Sequence, residues 1–315
     1  MKALPPIPFV SNIDNDDRLQ WLEYLQAALP DLQVAAFEDH SIEYWQQSNV
    51  AIVANPDPED LKQLSNLKWV QSVWAGVEKL AAALPQDIAI VKMTDPQLAK
   101  TMAEAVLTMV LYLHRDLHTY ATQQRQRIWK QHPVMLPEDC QVTVLGLGAL
   151  GREACASLVQ QGFTVSGWST SPKSIPNVRC FHGEQGLKTS LNTSDIVIVL
   201  LPLTDNTQSL LNQTRLSYLK QGASIINFAR GQIIDTRALL KNLESNRLKH
   251  AVLDVFATEP LPIEDKLWDI PNITILPHVS GPTNMKTASK IAAKHILSFI
   301  ESGCIPEIVD REKGY

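Results

Sequence analysis

The sequence lacks the features that mark membrane, secreted or nucleic-acid-binding proteins. No uninterrupted apolar run approaches the roughly 18 residues that a membrane helix needs. The first ten residues, MKALPPIPFV, lack the apolar core of a signal peptide. Lysine and arginine form no basic tract, and the formal net charge is −5, so there is no electrostatic footprint for nucleic acid. We therefore expect a cytoplasmic protein with neither membrane nor nucleic-acid partners.

Cysteine is also scarce, and its spacing does not indicate a disulfide framework or a metal centre. The four cysteines are Cys140, Cys155, Cys180 and Cys304. They form no C-x-x-C pair, so we interpret them as reduced, packed thiols. His114 and His118 have the spacing of two metal ligands on a helix, but the glutamate of a zinc-protease motif is missing between them. We predict no metal site.

Short apolar strands alternate with amphipathic segments, which indicates an α/β protein with parallel sheets. At 315 residues the chain is long enough for two domains, each with its own core. The predicted strands are Ile7–Val10, Gln33–Phe37, Val50–Ala54, Trp69–Trp74, Ile88–Val91, Val142–Leu145, Phe163–Trp168, Ile196–Leu201, Ser224–Phe228, His250–Val255 and Ile273–Leu276.

Three longer segments have helical periodicity. One is Arg18 to Ala28. A second runs without interruption from Gln97 to about Thr122 and is apolar on most faces, so it should be buried on more than one side. The third, roughly Lys286 to Glu301, is followed by Gly303, a residue type that commonly ends helices.

A dinucleotide-binding fingerprint follows the strand Val142–Leu145. Gly146 permits a tight turn, Gly148 lets the backbone approach a pyrophosphate, and Gly151 lets helix pack closely on strand. The N-terminus of the next helix offers N–H groups and a positive dipole end to the phosphates. The predicted phosphate-binding residues are Gly146, Gly148, Ala149, Leu150 and Gly151.

The acidic residue usual at the tip of the following strand is absent. In an NAD site, an Asp or Glu there bonds the ribose 2′-hydroxyl. Here the tip is Ser169, and Thr170, Ser171 and Lys173 follow. Hydroxyls and a cation suit a 2′-phosphate better than a diol, so this segment predicts NADPH as the preferred cofactor, with NADH as the alternative. In a second interpretation, Ser169 is a solvated loop residue beside an acidic partner elsewhere.

Three residues after successive strands supply the groups that hydride transfer to a 2-keto acid requires. His278 can donate a proton to the carbonyl oxygen, because histidine titrates near neutrality. Glu259 can orient that imidazole and favour its charged form. Arg230 can bind a substrate carboxylate and polarise the carbonyl. Taken singly, each could also be an ordinary turn or strand-end residue.

The glycine turn, the end of the next strand and the three candidate catalytic residues lie in sequence segments that together resemble the D-isomer-specific 2-hydroxyacid dehydrogenases. The resemblance covers nearly the whole chain and rests on VLGLGALG, GWSTSPKS, LLPLTDNT, NFARGQIID, LDVFATEPLP and ITILPHVSG. It implies two doubly wound parallel-sheet domains, in which a Rossmann NAD(P)-binding domain, residues 97–286, is inserted into a flavodoxin-like substrate domain, residues 1–96 and 287–315.

The resemblance also assigns residues. It gives Arg230, Glu259 and His278 the roles described above and places Asp254 near the nicotinamide carboxamide. Further implied cofactor contacts are Pro202, Thr207, Ala229, His278 and Ser280. The substrate carboxylate would meet the backbone of Ala75, Gly76 and Val77. Where the family's reductases carry an aromatic residue near the substrate, this chain has Ala54-Asn55, which predicts a wider pocket.

The function implied is NADPH-dependent reduction of small 2-keto acids, with glyoxylate and hydroxypyruvate as leading substrates. A homodimer through the helix near residues 103–113 is also implied. Two alternatives stay open. One is an NAD-dependent dehydrogenase of the D-lactate or phosphoglycerate type, and the other is a nucleotide-sensing corepressor-like protein that shares the fold.

Overall fold

The structure, a computed structural model, describes residues 5–311. Contacts divide these residues into two compact units: unit 1 comprises residues 5–97 and 283–311, and unit 2 comprises residues 98–282. No helix in the described part of the chain is long and apolar enough to span a membrane.

The strands and helices alternate along the chain. The strands are β1 (Ile7–Ser11), β2 (Val34–Ala36), β3 (Val50–Ala54), β4 (Trp69–Ser72), β5 (Ala89–Val91), β6 (Gln141–Leu145), β7 (Thr164–Ser169), β8 (Arg179–His182), β9 (Ile196–Val199), β10 (Ala223–Asn227), β11 (Leu248–Leu253) and β12 (Ile273–Ile275). The helices are α1 (Asn15–Ala28), α2 (Ile42–Trp45), α3 (Pro58–Lys62), α4 (Glu78–Ala83), α5 (Pro96–His114), α6 (Leu117–Gln126), α7 (Ala149–Gln160), α8 (Gly183–Thr193), α9 (Gln213–Leu216), α10 (Thr236–Glu244) and α11 (Met285–Ser302).

Unit 1 contains a five-stranded parallel sheet in the order β2-β1-β3-β4-β5, which is the flavodoxin-like order. Its core includes Phe9, Trp21 and Trp69, each at most 1% exposed. The closing helix α11 packs on α1 in this unit and ends at Gly303 with a left-handed φ of 72°, as its sequence predicts. Complete burial of Ile296 on α11 contributes about 1.5–3 kcal/mol to this packing.

Unit 2 contains a seven-stranded parallel sheet in the order β12-β11-β10-β9-β6-β7-β8. Counted from β6, this is the Rossmann order 3-2-1-4-5-6 with one further strand at the far edge. The strands β6, β9 and β10 are almost completely buried, and β9, with the sequence IVIV, is the continuous apolar run expected of a strand buried on both faces. The predicted architecture of two parallel-sheet domains is confirmed.

The prediction of one uninterrupted helix from Gln97 to Thr122 is wrong. The helical pattern is broken between α5 and α6, where Asp116 adopts a left-handed conformation with φ 55°. Its N–H donates to the carbonyl of Leu113, which closes the end of α5. Its carboxylate pairs with Lys249 of β11. Aspartate tolerates this backbone region better than most residues, and the pairing with a strand far along the chain was invisible in the local pattern.

The edge strand β8 is absent from the sequence prediction. It is four residues long, and none of the four side chains is fully buried. A short, half-exposed edge strand carries little apolar periodicity, so the pattern did not reveal it. Its importance is positional, because His182 at its end pairs with Ser169 at the end of β7.

A buried histidine, His250, stacks on a partly buried one, His118, in unit 2. The rings of His118 and His250 lie 4.1 Å apart, and His250 is 2% exposed. The Nε2 of His250 lies 2.8 Å from the hydroxyl of Thr274. Burial, reinforced by His118 and Lys249, lowers the pKa of His250 to about 3, and burial also lowers the pKa of His118. Both rings are therefore neutral near pH 7.

Acidification is expected to destabilise unit 2 through His250. Because its folded pKa lies below the unfolded value of about 6.5, the unfolded chain takes up the proton first, and stability falls as pH drops below 6.5. Between pH 7.5 and 5.0 this residue should lower the free energy of unfolding by roughly 2 kcal/mol. Urea unfolding at the two pH values measures this effect. From pH 7.5 to 5.0, the free energy of unfolding of H250Q should fall less than that of the unmodified protein, and the difference should equal this contribution of His250. The exposed-site variant H182Q should behave like the unmodified protein, and an equal drop in all three proteins would refute the assignment.

Candidate active site

The turn after β6 is sterically restricted to glycine at two of its three glycine positions. Gly146 has φ +107°, and a Cβ there would lie 2.5 Å from the carbonyl oxygen of Leu200. A Cβ at Gly151 would lie 1.8 Å from the carbonyl oxygen of Gly146. The fold itself therefore requires both glycines. Gly146 is needed for its positive φ, and Gly151 is needed because α7 packs closely against the turn that precedes it.

Gly148 is different, because nothing in the protein requires a glycine there. Its φ of −73° is open to any residue, and a Cβ would meet no atom within 4 Å. It is the N-cap of the twelve-residue helix α7 and brings no side chain to the helix end. A backbone with open space in front of a helix N-terminus fits the pyrophosphate of a dinucleotide. Gly148, Ala149 and Leu150 would hold it.

At the end of β7, Ser169 is buried and Thr170, Ser171 and Lys173 are exposed. The Ser169 hydroxyl donates a 2.8 Å hydrogen bond to the carbonyl oxygen of Ser171. The serine thus stabilises the turn, and its hydroxyl hydrogen is already engaged by a backbone carbonyl of the protein. A role for Ser169 in cofactor contact stays a prediction.

The loop after β9 is fixed by Thr207. This buried side chain donates a 2.6 Å hydrogen bond to the carbonyl oxygen of Pro202 and accepts one from the N–H of Thr204 at 2.7 Å. Pro202 and Thr207 are the two residues of this loop that we predict to contact the cofactor. Their hydrogen bond joins one end of the loop to the other. That loop follows β9, which pairs with β6.

Arg230 lies in the turn after β10, and two neighbouring features position it. The Asn227 side chain accepts from the N–H of Ala229 at 3.2 Å and donates to the carbonyl oxygen of Arg230 at 3.0 Å. At Gly231, a Cβ would lie 2.1 Å from the backbone of Phe256, so the turns after β10 and β11 are in close contact. One guanidinium N–H of Arg230 donates to the carbonyl oxygen of Ala229 at 2.7 Å.

Glu259 and His278 form a pair. One carboxylate oxygen of Glu259 lies 2.8 Å from Nδ1 of His278, and the other accepts from the N–H of Phe256 at 2.8 Å. The imidazole is half-exposed. A carboxylate on Nδ1 holds the ring in one orientation and leaves Nε2 to act on a substrate. This is the arrangement that a proton donor needs.

Asp254 stabilises the loop formed by residues 278–280, a role that the sequence did not predict. Its side chain is 2% exposed, and its two carboxylate oxygens accept from the N–H groups of Val279 and Ser280 at 2.8 and 3.0 Å. Its own carbonyl oxygen accepts from the N–H of His278 at 3.0 Å. These bonds hold His278 in its left-handed conformation, φ 55°. The predicted contact of Asp254 with a nicotinamide stays a prediction.

Ser280 fits the site of a bound group. The side chain is 4% exposed, and its hydroxyl has no hydrogen-bond partner among residues 5–311. Buried hydroxyls are normally satisfied, so this one fits a polar ligand atom. The predicted contacts Ala229 and Ser280 both lie within two residues of a predicted catalytic residue.

In unit 1, the predicted substrate loop follows β4. The Ser72 hydroxyl donates to the carbonyl oxygen of Trp74 at 3.0 Å, and the N–H of Met93 donates to the same oxygen at 3.0 Å. These bonds fix the start of the loop, and α4 fixes its end. Ala75 and Gly76 between them are partly exposed, whereas Val77 is buried. Binding of a carboxylate by Ala75, Gly76 and Val77 stays a prediction.

Comparison with known proteins identifies the family. Residues 107–280 match the model of the D-isomer specific 2-hydroxyacid dehydrogenase, NAD binding domain. The chain belongs to the D-isomer-specific 2-hydroxyacid dehydrogenases. It is therefore an NAD(P)-dependent oxidoreductase. The chain is similar over 306 residues to glyoxylate/hydroxypyruvate reductase A of Photorhabdus laumondii, with 34% identity, 95% of this chain and 97% of that protein covered.

Solved structures have the same fold. A D-isomer specific 2-hydroxyacid dehydrogenase from Xanthobacter autotrophicus, in complex with NADPH and MES, has a TM-score of 0.91 and 36% identity, with 99% of each chain covered. An NADPH-dependent glyoxylate/hydroxypyruvate reductase from Sinorhizobium meliloti, in complex with NADP and sulfate, has a TM-score of 0.87 and 28% identity, with 99% of this chain and 100% of that chain covered.

Two glycine variants should separate folding from cofactor binding. G151A places a carbon against the Gly146 carbonyl and should cost about 1–3 kcal/mol of unfolding free energy. G148A meets no protein atom and should unfold with the stability of the unmodified protein. It should nevertheless bind NADPH about tenfold more weakly or worse, because its Cβ would lie where we predict that the pyrophosphate approaches. Urea unfolding and NADPH fluorescence titration measure the two effects. Unchanged NADPH affinity in a folded G148A would contradict this cofactor position.

Proposed function

We propose that this protein reduces small 2-keto acids with NADPH, glyoxylate and hydroxypyruvate first among them, and that His278 is the proton donor. The observation that carries the proposal is the 2.8 Å contact between Glu259 and Nδ1 of His278, in the same unit as the dinucleotide turn after β6. Keto-acid reduction needs one proton for each hydride, and this pair is built to hold and deliver one.

The chemistry follows from where charge develops. NADPH, when bound, supplies the hydride to the carbonyl carbon, and the carbonyl oxygen becomes negative. The imidazolium of His278 gives that oxygen its proton from Nε2 and becomes neutral. Glu259 stabilises the charged imidazole before the transfer and keeps the ring aligned. The product is a 2-hydroxy acid.

Arg230 is the proposed partner of the substrate. A guanidinium remains charged at any working pH, and its planar fork matches a carboxylate. One of its N–H groups donates to the Ala229 carbonyl. Bound to a 2-keto acid, Arg230 would hold the carboxylate and also draw charge from the carbonyl oxygen.

The preference for NADPH rests on the end of β7. There the acid of NAD sites is replaced by Ser169, and Lys173 is exposed on the following loop. Two similar proteins were solved with NADPH or NADP bound. The D-lactate-type or phosphoglycerate-type alternative with NAD requires an acid that this position lacks.

A panel of keto acids tests the proposal. With NADPH in excess, glyoxylate and hydroxypyruvate should give the highest kcat/KM, followed at 340 nm, and larger 2-keto acids should be slower. Highest activity with pyruvate or a phosphorylated acid would favour the dehydrogenase alternative. No loss of absorbance with any acid would overturn the proposal in favour of a nucleotide-sensing protein.

We also propose a homodimer and a cytoplasmic location. Support for the dimer comes from residues 128–136, which expose apolar side chains although Lys130 and His132 are hydrogen-bonded through their backbone to side chains of α6. Trp129 is 98% exposed, while Gln123 donates to the Lys130 carbonyl at 2.8 Å and the Tyr120 hydroxyl accepts from the N–H of His132 at 2.9 Å. An ordered apolar segment of this kind suits a protein partner. Light scattering should give twice the chain mass, and a monomer mass would refute the dimer.

A further inference from the structure

The loop after β7 does not by itself hold enough charge for a 2′-phosphate. Such a group carries nearly two negative charges at pH 7. The hydroxyl of Ser169 is committed to the Ser171 carbonyl, and Lys173 is the one cation among residues 169–174. If NADPH is the cofactor, a second cation from another element is needed.

Arg152 reaches this loop from the helix that carries the phosphate turn. It lies on α7, directly after Gly151, and its side chain is exposed. One guanidinium N–H lies 3.5 Å from the carbonyl oxygen of Ser174, the residue next to Lys173. This long contact places the guanidinium at the loop and engages one of five donors. No carboxylate among residues 5–311 forms an ion pair with it.

We propose that Arg152 binds the 2′-phosphate of NADPH together with Lys173, and so sets the preference for NADPH over NADH. The inference rests on the proposed use of NADPH. Arginine suits the role because its fork forms two parallel, charge-assisted hydrogen bonds to a phosphate. Because α7 also presents Gly148 towards the pyrophosphate position, one helix would contact both phosphate groups of the cofactor.

Arg179 provides a matched control from the same region of sequence. It begins β8, where it pairs with Ser166 rather than with Ser169, so it lies at the opposite end of the strand pair from the cofactor loop. Its guanidinium stacks on the Phe181 ring, 5.0 Å from the ring centre. Removing its charge changes the net charge of unit 2 by the same amount as removing that of Arg152.

Binding of two adenosine fragments tests the inference without turnover. Isothermal titration calorimetry would compare adenosine 2′,5′-bisphosphate with 5′-AMP on the unmodified protein and on R152Q, R152K, K173Q and R179Q. The bisphosphate should bind the unmodified protein at least about tenfold more tightly than 5′-AMP. R152Q should lose about 10- to 100-fold for the bisphosphate, the range expected for charge-assisted hydrogen bonds, and less than threefold for 5′-AMP.

The variants separate the possible results. R152K should lie between R152Q and the unmodified protein, because lysine keeps the charge and loses the fork; no recovery over R152Q would count against charge recognition. R179Q should match the unmodified protein. Discrimination by the unmodified protein that persists in R152Q would overturn the role of Arg152 and leave NADPH use intact. No discrimination in the unmodified protein would overturn NADPH preference itself. Equal losses of both fragments in R152Q would show that the arginine acts on the fold.

Discussion

Replacing His278 with asparagine is expected to lower kcat for glyoxylate reduction by about 10²–10⁴-fold, the usual contribution of a positioned proton donor. Asparagine is the suitable replacement because position 278 has φ 55°, a region that asparagine enters readily. The variant should therefore fold. Stopped-flow or steady-state assays at 340 nm measure kcat, and NADPH fluorescence titration measures cofactor affinity, which should change less than about threefold.

Glu259 supplies the matched comparison for this prediction. E259Q retains a side chain that can still contact Nδ1 and the N–H of Phe256 but removes the charge that stabilises the imidazolium. Its kcat should fall less than that of H278N, because the imidazole remains in place as proton donor and only the negative charge beside Nδ1 is lost. Turnover in H278N equal to that of the unmodified protein would exclude His278 as the proton donor.

Replacing Arg230 with alanine is expected to lower kcat/KM for glyoxylate by about 10²–10³-fold, the magnitude seen when one charge-stabilising donor is removed from a preorganised site. Both KM and kcat should change, because the guanidinium would bind the carboxylate and polarise the carbonyl. NADPH affinity should remain within about threefold, since the dinucleotide turn lies after a different strand, β6.

Arg237 is the control for this second prediction. It is an exposed arginine in the first turn of α10, and R237A should leave kcat/KM unchanged. R230K should recover part of the affinity for the acid but little of kcat, because lysine keeps the charge and loses the planar fork. Equal losses of NADPH affinity and of kcat/KM in R230A would assign Arg230 to folding or to cofactor binding.

The sequence predicted the parts of the fold that local physics determines. The buried strands β3 and β9 are continuous apolar runs, and Gly303 ends α11 because a left-handed residue closes the helix there. The break at Asp116 and the edge strand β8 were missed. Asp116 is held by Lys249, more than a hundred residues away, and β8 lacks a buried face.

The same distinction applies to the site. Residue types and positions after strands indicated Arg230, Glu259 and His278, and the structure brings the last two within hydrogen-bond distance. The bracing of residues 278–280 by Asp254 was beyond the sequence, because it depends on the register of the loops after β11 and β12. The bond from the Ser169 hydroxyl to the Ser171 carbonyl was likewise beyond the local sequence pattern.

The choice between NADPH and NADH separates the proposed keto-acid reductase from its NAD-dependent alternative. The most direct test is kcat/KM for NADPH and for NADH, each titrated at a fixed saturating concentration of glyoxylate and followed at 340 nm. Phosphate contacts of the usual strength predict a preference for NADPH of at least about tenfold. Equal values, or a higher value for NADH, would contradict the account.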